Sequence, residues 1–202
     1  ACAADDRGFL LGDGLFETLR FCGGELVRAA AHERRLRASC EALGLACPLD
    51  GISLTEVAAG LAARAGLKNA AIRLSLTAGS GERGLVRSGS AKPSCLITAA
   101  PLVAPPAALS LATSALRRSG SSFAAGHKTL SYIDNVMARR EARQAGADMA
   151  LLLDTADRLS GADCANLFWI HGGVIFTPSL DCAVLSGPAR GALPAALVVV
   201  LS

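Results

Sequence analysis

Apolar residues recur at two different spacings along this chain of 202 residues, and this alternation restricts its fold more than any other feature. In residues 71–77, Ile72, Leu74 and Leu76 alternate with polar side chains, which is typical of a half-buried β-strand. In residues 36–43, apolar side chains instead lie four and three positions apart, as on one face of an α-helix. Because both patterns recur along the chain, we predict a mixed α/β (α+β) fold.

These patterns, together with turn residues, predict the individual elements. Gly44 is expected to end the first main helix, and Ser53 with Glu56 forms a capping box at the start of the second. Strands are expected over residues 15–21, 71–77, 95–100, 109–116 and 149–153, with a hairpin over 167–176. Helices are expected over residues 36–43, 53–66 and 133–145.

Residues 101–106 (PLVAPP) are the best candidate for a linker, because their prolines interrupt both patterns. We therefore predict two domains. A small N-terminal α/β domain would cover residues 1–105, and a larger C-terminal α/β domain would cover residues 106–202.

Composition argues against two classes of partner. Only 4% of the residues are aromatic and the net charge is only +3, without the basic and aromatic clusters of a nucleic-acid-binding protein. Hydrophobic residues make up 51% of the chain, yet no apolar run approaches the ~20 residues that a membrane-spanning helix needs. We expect a soluble protein with neither a nucleic acid nor a membrane as its partner.

The seven cysteines form no CxxC pair, and their number is odd. We interpret them as free, mostly buried thiols in the reducing cytoplasm. His32, His127 and His171 show no ligand spacing with these cysteines, so we expect no metal site.

Residues 79–84 (GSGERG) match the glycine pattern of dinucleotide-binding loops. That site also needs a helix at the third glycine and an acidic residue about twenty positions later, and neither follows here. The segment is therefore interpreted as a flexible loop that carries Arg83.

The residues Lys128 and Arg35 can each be interpreted in two ways, and the start of the helix at 133 has a purely structural interpretation. Lys128 is either an ordinary surface lysine or an amine in an apolar pocket, where it would act as a nucleophile or base. Arg35, three residues after His32, belongs to a solvated helix face or binds a phosphate. Asp134 and Asn135 could simply cap the helix that follows them.

Six runs of sequence, taken in order, resemble the fold-type IV pyridoxal-phosphate enzymes. This family includes branched-chain and D-amino-acid aminotransferases and 4-amino-4-deoxychorismate lyase. The matching runs are GDGLFETLR (12–20), HERRL (32–36), GSGERG (79–84), KTLSYIDNVMARREA (128–142), CANLFW (164–169) and TPSLDCAVLSGPAR (177–190). The resemblance implies the two-domain, D-amino-acid-aminotransferase-like fold, a homodimer, a small-molecule substrate and pyridoxal 5'-phosphate as cofactor.

The resemblance also implies a role for each matching residue. Lys128 would form a Schiff base with the cofactor and carry protons, and Arg35 would bind the phosphate. The remaining cofactor-binding residues would be Tyr132, near the phenolic oxygen, Asn166, and the phosphate turn Gly187, Pro188 and Ala189. Phe16, Arg20 and Arg83 would line the substrate side.

Within the family, CANLFW and TPSLDCAVLSG are most similar to 4-amino-4-deoxychorismate lyase, which releases 4-aminobenzoate and pyruvate for folate biosynthesis. The expected alternatives are a branched-chain or D-amino-acid aminotransferase and a catalytically impaired paralogue.

Three departures from the family pattern bear on these expectations. Gly161 stands where relatives carry a glutamate that pairs with the pyridine nitrogen, and Asp163 is the nearest carboxylate that could replace it. Pro188 has no N–H to donate to a phosphate. Relatives continue beyond the equivalent of residue 202, so the C-terminal domain is expected to be truncated.

Overall fold

A computed structural model describes residues 3–87, 92–193 and 198–201, and the chain divides into two compact units. Unit 1 comprises Ala1–Ala104 and Lys128–Ser131, and unit 2 comprises Pro105–His127 and Tyr132–Ser202. Residues Lys128–Ser131 join unit 1 through hydrogen bonds to its first long strand. The Phe16 N–H donates to the Lys128 carbonyl over 2.8 Å, and the Leu130 N–H donates to the Gly14 carbonyl over 2.9 Å.

Unit 1 is an antiparallel sheet of four strands in the order β2-β1-β3-β4, with three helices. Its elements are α1 (Arg7–Leu11), β1 (Gly14–Cys22), β2 (Glu25–Leu26), α2 (Ala29–Leu43), α3 (Leu54–Arg64), β3 (Ala70–Thr77) and β4 (Ser94–Pro101).

The core of unit 1 lies on one face of this sheet. Ile72, Leu74 and Leu76 of β3 are fully buried there, which confirms the alternation that predicted this strand. Leu15 and Leu19 of β1 pair with Leu76 and Ile72 on the same face, and buried residues of α2 and α3 belong to the same cluster. Burying each such side chain contributes about 1.5–3 kcal/mol to the stability of the folded protein, so this sheet face is a stable part of unit 1.

Unit 2 contains two three-stranded sheets, ordered β5-β6-β7 and β10-β9-β8. β5 and β6 run parallel with α5 as their crossover, and β8 and β9 form the predicted hairpin. The elements are β5 (Leu111–Arg118), α4 (Phe123–Gly126), α5 (Ile133–Gln144), β6 (Met149–Asp154), β7 (Leu159–Ala162), β8 (Trp169–His171), β9 (Val174–Pro178), a 3₁₀ turn (Arg190–Ala192) and β10 (Val198–Leu201).

The mixed α/β fold class and the predicted helix caps in unit 1 are confirmed. Gly44 ends α2 with a positive φ of 65°, and the Ser53 hydroxyl accepts the Glu56 N–H at the start of α3. The strand expected over 109–116 instead begins at Leu111, because Ser110 binds the Asp148 carboxylate through both its N–H and its hydroxyl.

The expected cap of α5 is wrong. Tyr132 occupies the capping position and makes no side-chain cap, and Asp134 lies inside the first turn. The Asn135 side-chain amide instead donates to the Asp163 carbonyl, so this residue ties α5 to the segment after β7.

Within the described part of the chain, no helix is both long and apolar enough to cross a membrane.

Candidate functional site

Lys128 lies against an aromatic ring in unit 1. Its Nζ is 4.2 Å from the centroid of the Phe16 ring, and Phe16 is buried on β1. The Arg73 guanidinium carbon is 3.9 Å from the same centroid. Cations are attracted to the face of an aromatic ring, so Phe16 helps to position the amine of the half-buried Lys128.

Arg35 is held by a buried carboxylate. The Glu17 side chain accepts hydrogen bonds from Arg35 Nε at 2.7 Å and Nη2 at 2.6 Å, and its Oε2 also lies 2.7 Å from His32 Nδ1. Burial opposes ionisation of Glu17, but the bonds from His32 and Arg35 outweigh it, so the pKa of this carboxyl lies below its ordinary value. The fork of Arg35 is thereby fixed in direction.

Lys128 and Arg35 contact neighbouring residues of β1, Phe16 and Glu17 respectively. Side chains of a strand alternate between its two faces, so Phe16 and Glu17 point to opposite sides of the sheet. Lys128 therefore contacts the face that carries Phe16, and Arg35 binds on the core face. The exposed Arg20 shares the face of Phe16, four residues along the strand.

Arg83 is exposed in a loop that is anchored at its far side. Arg7 donates to the carbonyls of Gly84 at 2.9 Å and Leu85 at 3.0 Å, while its Nε binds Asp13. The neighbouring Arg87 guanidinium lowers the pKa of Asp13, although burial partly opposes the shift. The loop was expected to be flexible, and this pair of bonds fixes the residues immediately after Arg83.

In unit 2, Asn166 bridges two segments around a glycine. Its side-chain amide donates to the Leu185 carbonyl at 2.9 Å. A Cβ on Gly187 would lie 1.9 Å from the Asn166 Oδ1, so no other residue fits at position 187 without displacing Asn166. The turn that contains Gly187 and Ala189 is therefore built around this asparagine.

The same turn carries a buried donor with no acceptor. Arg190 donates from Nη2 to the Pro178 carbonyl at 3.1 Å, but its Nε is buried without a hydrogen-bond partner among the described residues. Pro188 supplies no N–H, and Ala189 supplies only its backbone group. A buried donor left without a partner costs about 1–3 kcal/mol, so the turn suits an anion that accepts from it.

Tyr132 is half-buried directly before α5 and lies within electrostatic reach of Arg118, the last residue of β5. Burial lowers the pKa of the Arg118 guanidinium, and Tyr132 and Asp163 partly offset this effect. Arg118 Nη2 makes a long contact of 3.4 Å to the Ala162 carbonyl.

Asp163 is not available to replace the glutamate missing at Gly161. Its buried carboxylate binds Arg139 through Oδ2 at 2.6 Å and Oδ1 at 2.5 Å, and Oδ2 also accepts the Ala150 N–H at 2.8 Å. Burial raises its pKa, but Arg139 and the Ala150 N–H outweigh that effect, and the pKa lies below the ordinary value. Both carboxylate oxygens of Asp163 are therefore engaged by α5 and β6.

Sequence reasoning missed Glu17 and Arg118. Glu17 carried a signal, because it falls between Leu15 and Leu19 on the inward face of a strand and therefore needs buried cationic partners. Arg118 carried none, since its role depends on the residues that unit 2 brings to its strand end.

No group of three or more His, Cys, Asp or Glu side chains placed to hold a metal ion occurs in residues 3–87, 92–193 and 198–201. The six described cysteines are free thiols, and Cys2 lies outside the described residues. The expectation that most of them are buried is wrong, because only Cys40 and Cys182 of these six are buried.

Comparison with known proteins identifies the family. The sequence model of the amino-transferase class IV family matches residues 14–197. A Methanocaldococcus jannaschii protein provisionally named branched-chain-amino-acid aminotransferase is 31% identical over 188 residues, covering 92% of this chain and 65% of its own length. The aminodeoxychorismate lyase of Bacillus subtilis is 29% identical over 191 residues, covering 92% of this chain and 64% of its own length.

The solved 4-amino-4-deoxychorismate lyase of Pseudomonas aeruginosa superimposes with a TM-score of 0.82 at 26% identity, over 99% of this chain and 77% of that one. The chain spans just under two thirds of the length of the two curated relatives. The family match covers nearly the whole chain and agrees with the resemblance that its motifs carry. The chain therefore belongs to the class IV aminotransferase family, whose members are enzymes dependent on pyridoxal 5'-phosphate.

Proposed function

We propose that this protein is a pyridoxal-phosphate-dependent lyase that converts 4-amino-4-deoxychorismate to 4-aminobenzoate and pyruvate, a step of folate biosynthesis. The observation that carries the proposal is the position of the Lys128 amine, which lies 4.2 Å from the ring centroid of Phe16 on β1 in a chain that belongs to this family. Its choice of reaction is supported by the lyases of Bacillus subtilis and Pseudomonas aeruginosa among its relatives.

The residues present suit the cofactor chemically. The Lys128 amine would bind its aldehyde, and the family resemblance assigns the Arg35 guanidinium to its phosphate, although Lys128 and Arg35 contact opposite faces of β1. The turn of Gly187, Pro188 and Ala189 ends beside Arg190, whose buried Nε has no partner among the described residues and would donate to the phosphate. Tyr132 would lie near the phenolic oxygen, and Asn166 would hold the turn in place.

The bound cofactor withdraws electrons from the substrate carbon that carries the amino group, which makes its proton removable. Lys128 would take that proton, and the ring carbon–oxygen bond to the enolpyruvyl group would break as the ring becomes aromatic. The same amine would return a proton to the terminal carbon of the departing enolpyruvate, which becomes pyruvate. No other reactant is needed, because the atoms of 4-aminobenzoate and pyruvate together equal those of the substrate. Phe16, Arg20 and Arg83 would face the substrate, with the arginines suited to its carboxylates.

The proposal includes a homodimer, which rests on the family resemblance, and a cytoplasmic location, which rests on the interpretation of the cysteines as free thiols.

Transamination is the second candidate. It is supported by the Methanocaldococcus jannaschii relative, whose name specifies an aminotransferase. The third is an impaired paralogue, which Gly161 and Pro188 favour because both positions lack a group that the family uses.

The three candidates differ in stoichiometry. Purified protein loaded with pyridoxal 5'-phosphate is incubated with 4-amino-4-deoxychorismate alone, and pyruvate and 4-aminobenzoate are measured. We expect equal amounts of both products without any added keto acid, and no products from Lys128→Ala. Lys68→Ala, which changes an exposed lysine between α3 and β3, is the control and should keep full activity. Amino-group exchange that requires a keto acid would replace the proposal with transamination, and retained cofactor with neither reaction would support the paralogue.

A further inference from the structure

Arg118 and Gly161 lie on strands that flank β6 on either side. Arg118 ends β5 and is in register with Asp154, while Gly161 on β7 is in register with Leu152. The long arginine side chain reaches across, so that a Cβ built on Gly161 would lie 3.8 Å from Arg118 Nη1. The buried position of the missing glutamate thus faces a guanidinium.

No carboxylate pairs with Arg118 among the residues that the structure describes. The nearest candidate, Asp163, is bound to Arg139 and to the Ala150 N–H. The Arg118 guanidinium makes a 3.4 Å contact to the Ala162 carbonyl. Desolvation of a half-buried guanidinium without a carboxylate is costly, and such a group is usually retained for an acceptor that it binds.

We infer that Arg118 takes over the position that a glutamate fills in the family, and that it holds the pyridine nitrogen of bound cofactor unprotonated. A guanidinium has only N–H donors and keeps its charge at all physiological pH values, so a ring nitrogen beside it must accept. A neighbouring positive charge also disfavours protonation of that nitrogen. A carboxylate at this position would instead favour protonation of the ring nitrogen. Arg118 is therefore a positioning residue that acts on the cofactor.

This inference deepens the proposed function and rests on it. An unprotonated ring withdraws electrons less strongly than a protonated one. Such a ring suits a reaction driven by formation of an aromatic product better than one that must stabilise charge on the cofactor. The geometry at Gly161 thus favours the lyase over the aminotransferase as the activity of this site.

The first test uses the unaltered protein. Cofactor labelled with ¹⁵N in the ring is bound, and the nitrogen chemical shift is followed with pH. We expect the shift of an unprotonated pyridine throughout the range in which the protein is folded. A shift in the protonated range at neutral pH overturns the inference while leaving the proposed function intact. Failure to retain the cofactor overturns both, and this outcome is recognised before any spectrum is recorded.

Variants at position 161 supply the matched comparison. Gly161→Glu should move the nitrogen signal to the protonated range, whereas Gly161→Gln should not. Gly161→Ala reports the packing effect alone, because its Cβ meets the Ala165 carbonyl at 3.2 Å. Arg118→Lys should behave as wild type, and Arg118→Met should raise the pH at which the nitrogen loses its proton. An unchanged titration in Arg118→Met contradicts the assigned role.

A readout without cofactor tests the same geometry. In the apoprotein at pH 7, Gly161→Glu should melt about 2–4 °C above Gly161→Gln, because its carboxylate pairs with Arg118. The difference should vanish in the Arg118→Met background. Equal melting of the Glu and Gln variants in the presence of Arg118 would show that the two positions do not face each other, and the inference would fail.

Discussion

The buried and half-buried arginines of the two units differ in their partners. In unit 1, Arg7 pairs with the half-buried Asp13 and Arg35 pairs with the buried Glu17. In unit 2, Arg118 has no carboxylate partner among the described residues, and the Nε of Arg190 is buried without an acceptor. Arginines that pair with a carboxylate of their own unit stabilise that unit, whereas arginines without such a partner can bind an external acceptor. Unit 1 thus satisfies these arginines internally, whereas unit 2 leaves guanidinium donors that we propose bind the cofactor.

The largest effect on this comparison should come from Glu17→Gln. The change leaves Arg35 buried against a neutral group and removes the charge that orients His32. We expect a loss of about 3 kcal/mol in the free energy of unfolding, measured by urea denaturation. Asp50→Asn is the control, because it breaks an exposed pair with Arg37 on the same helix and should leave the midpoint unchanged. A loss no greater than the control would mean that Glu17 does not organise unit 1.

Gly187→Ala should have the next largest effect. Its Cβ displaces the Asn166 side chain and breaks the hydrogen bond to Leu185, at a cost of about 2 kcal/mol. Bound cofactor should also be lost on desalting. Gly191→Ala is the matched control, since its Cβ meets no atom within 4 Å and its φ is not positive. Equal cofactor retention by both variants would show that the turn does not bind the phosphate.

Asp163→Asn sharpens the contrast within unit 2. The carboxylate pairs with Arg139, which is 36% exposed, so solvent weakens the pair and the expected loss is about 1–2 kcal/mol. The ring-nitrogen signal of bound cofactor should not change, because Asp163 serves packing and not the cofactor. A shift of that signal in Asp163→Asn would restore Asp163 as the substitute for the missing glutamate.

The smallest expected effect is on acid stability. The pKa of Glu17 is lowered in the folded protein, so its contribution is complete above the unfolded-state value of about 4.3 and is lost as the pH falls through the folded value. The free energy of unfolding should therefore fall more steeply below about pH 4.3 in wild type than in Glu17→Gln. Parallel curves for the two proteins would indicate that the pKa of Glu17 is not depressed.

Much of the fold could be predicted because it depends on local patterns. The β3 alternation, the Gly44 cap and the Ser53 cap are each specified within a few residues, and all three are present. The cap of α5 could not be predicted, because Asn135 bonds to a carbonyl 28 residues away. The local sequence does not indicate which distant acceptor a side-chain donor such as Asn135 will bind.

The candidate site divides in the same way. Lys128 and Arg35 lie in ordered family motifs, so the sequence alone predicts them as site residues. Glu17 could have been identified from its place between inward-facing leucines, but was not. The meeting of Arg118 with Gly161 could not, because it depends on the strand order β5-β6-β7 and on the missing side chain at 161. The roles assigned to all these residues in cofactor and substrate binding remain predictions.

The most direct test of the central claim is chemical mapping of the bound cofactor. The protein is loaded with pyridoxal 5'-phosphate, desalted, reduced with borohydride and digested, and the labelled peptide is sequenced. We predict stoichiometric label on Lys128 and none on Lys68 or Lys92, the other two lysines of the chain. Label on either of those lysines, or no retained label on the folded protein, would contradict the account.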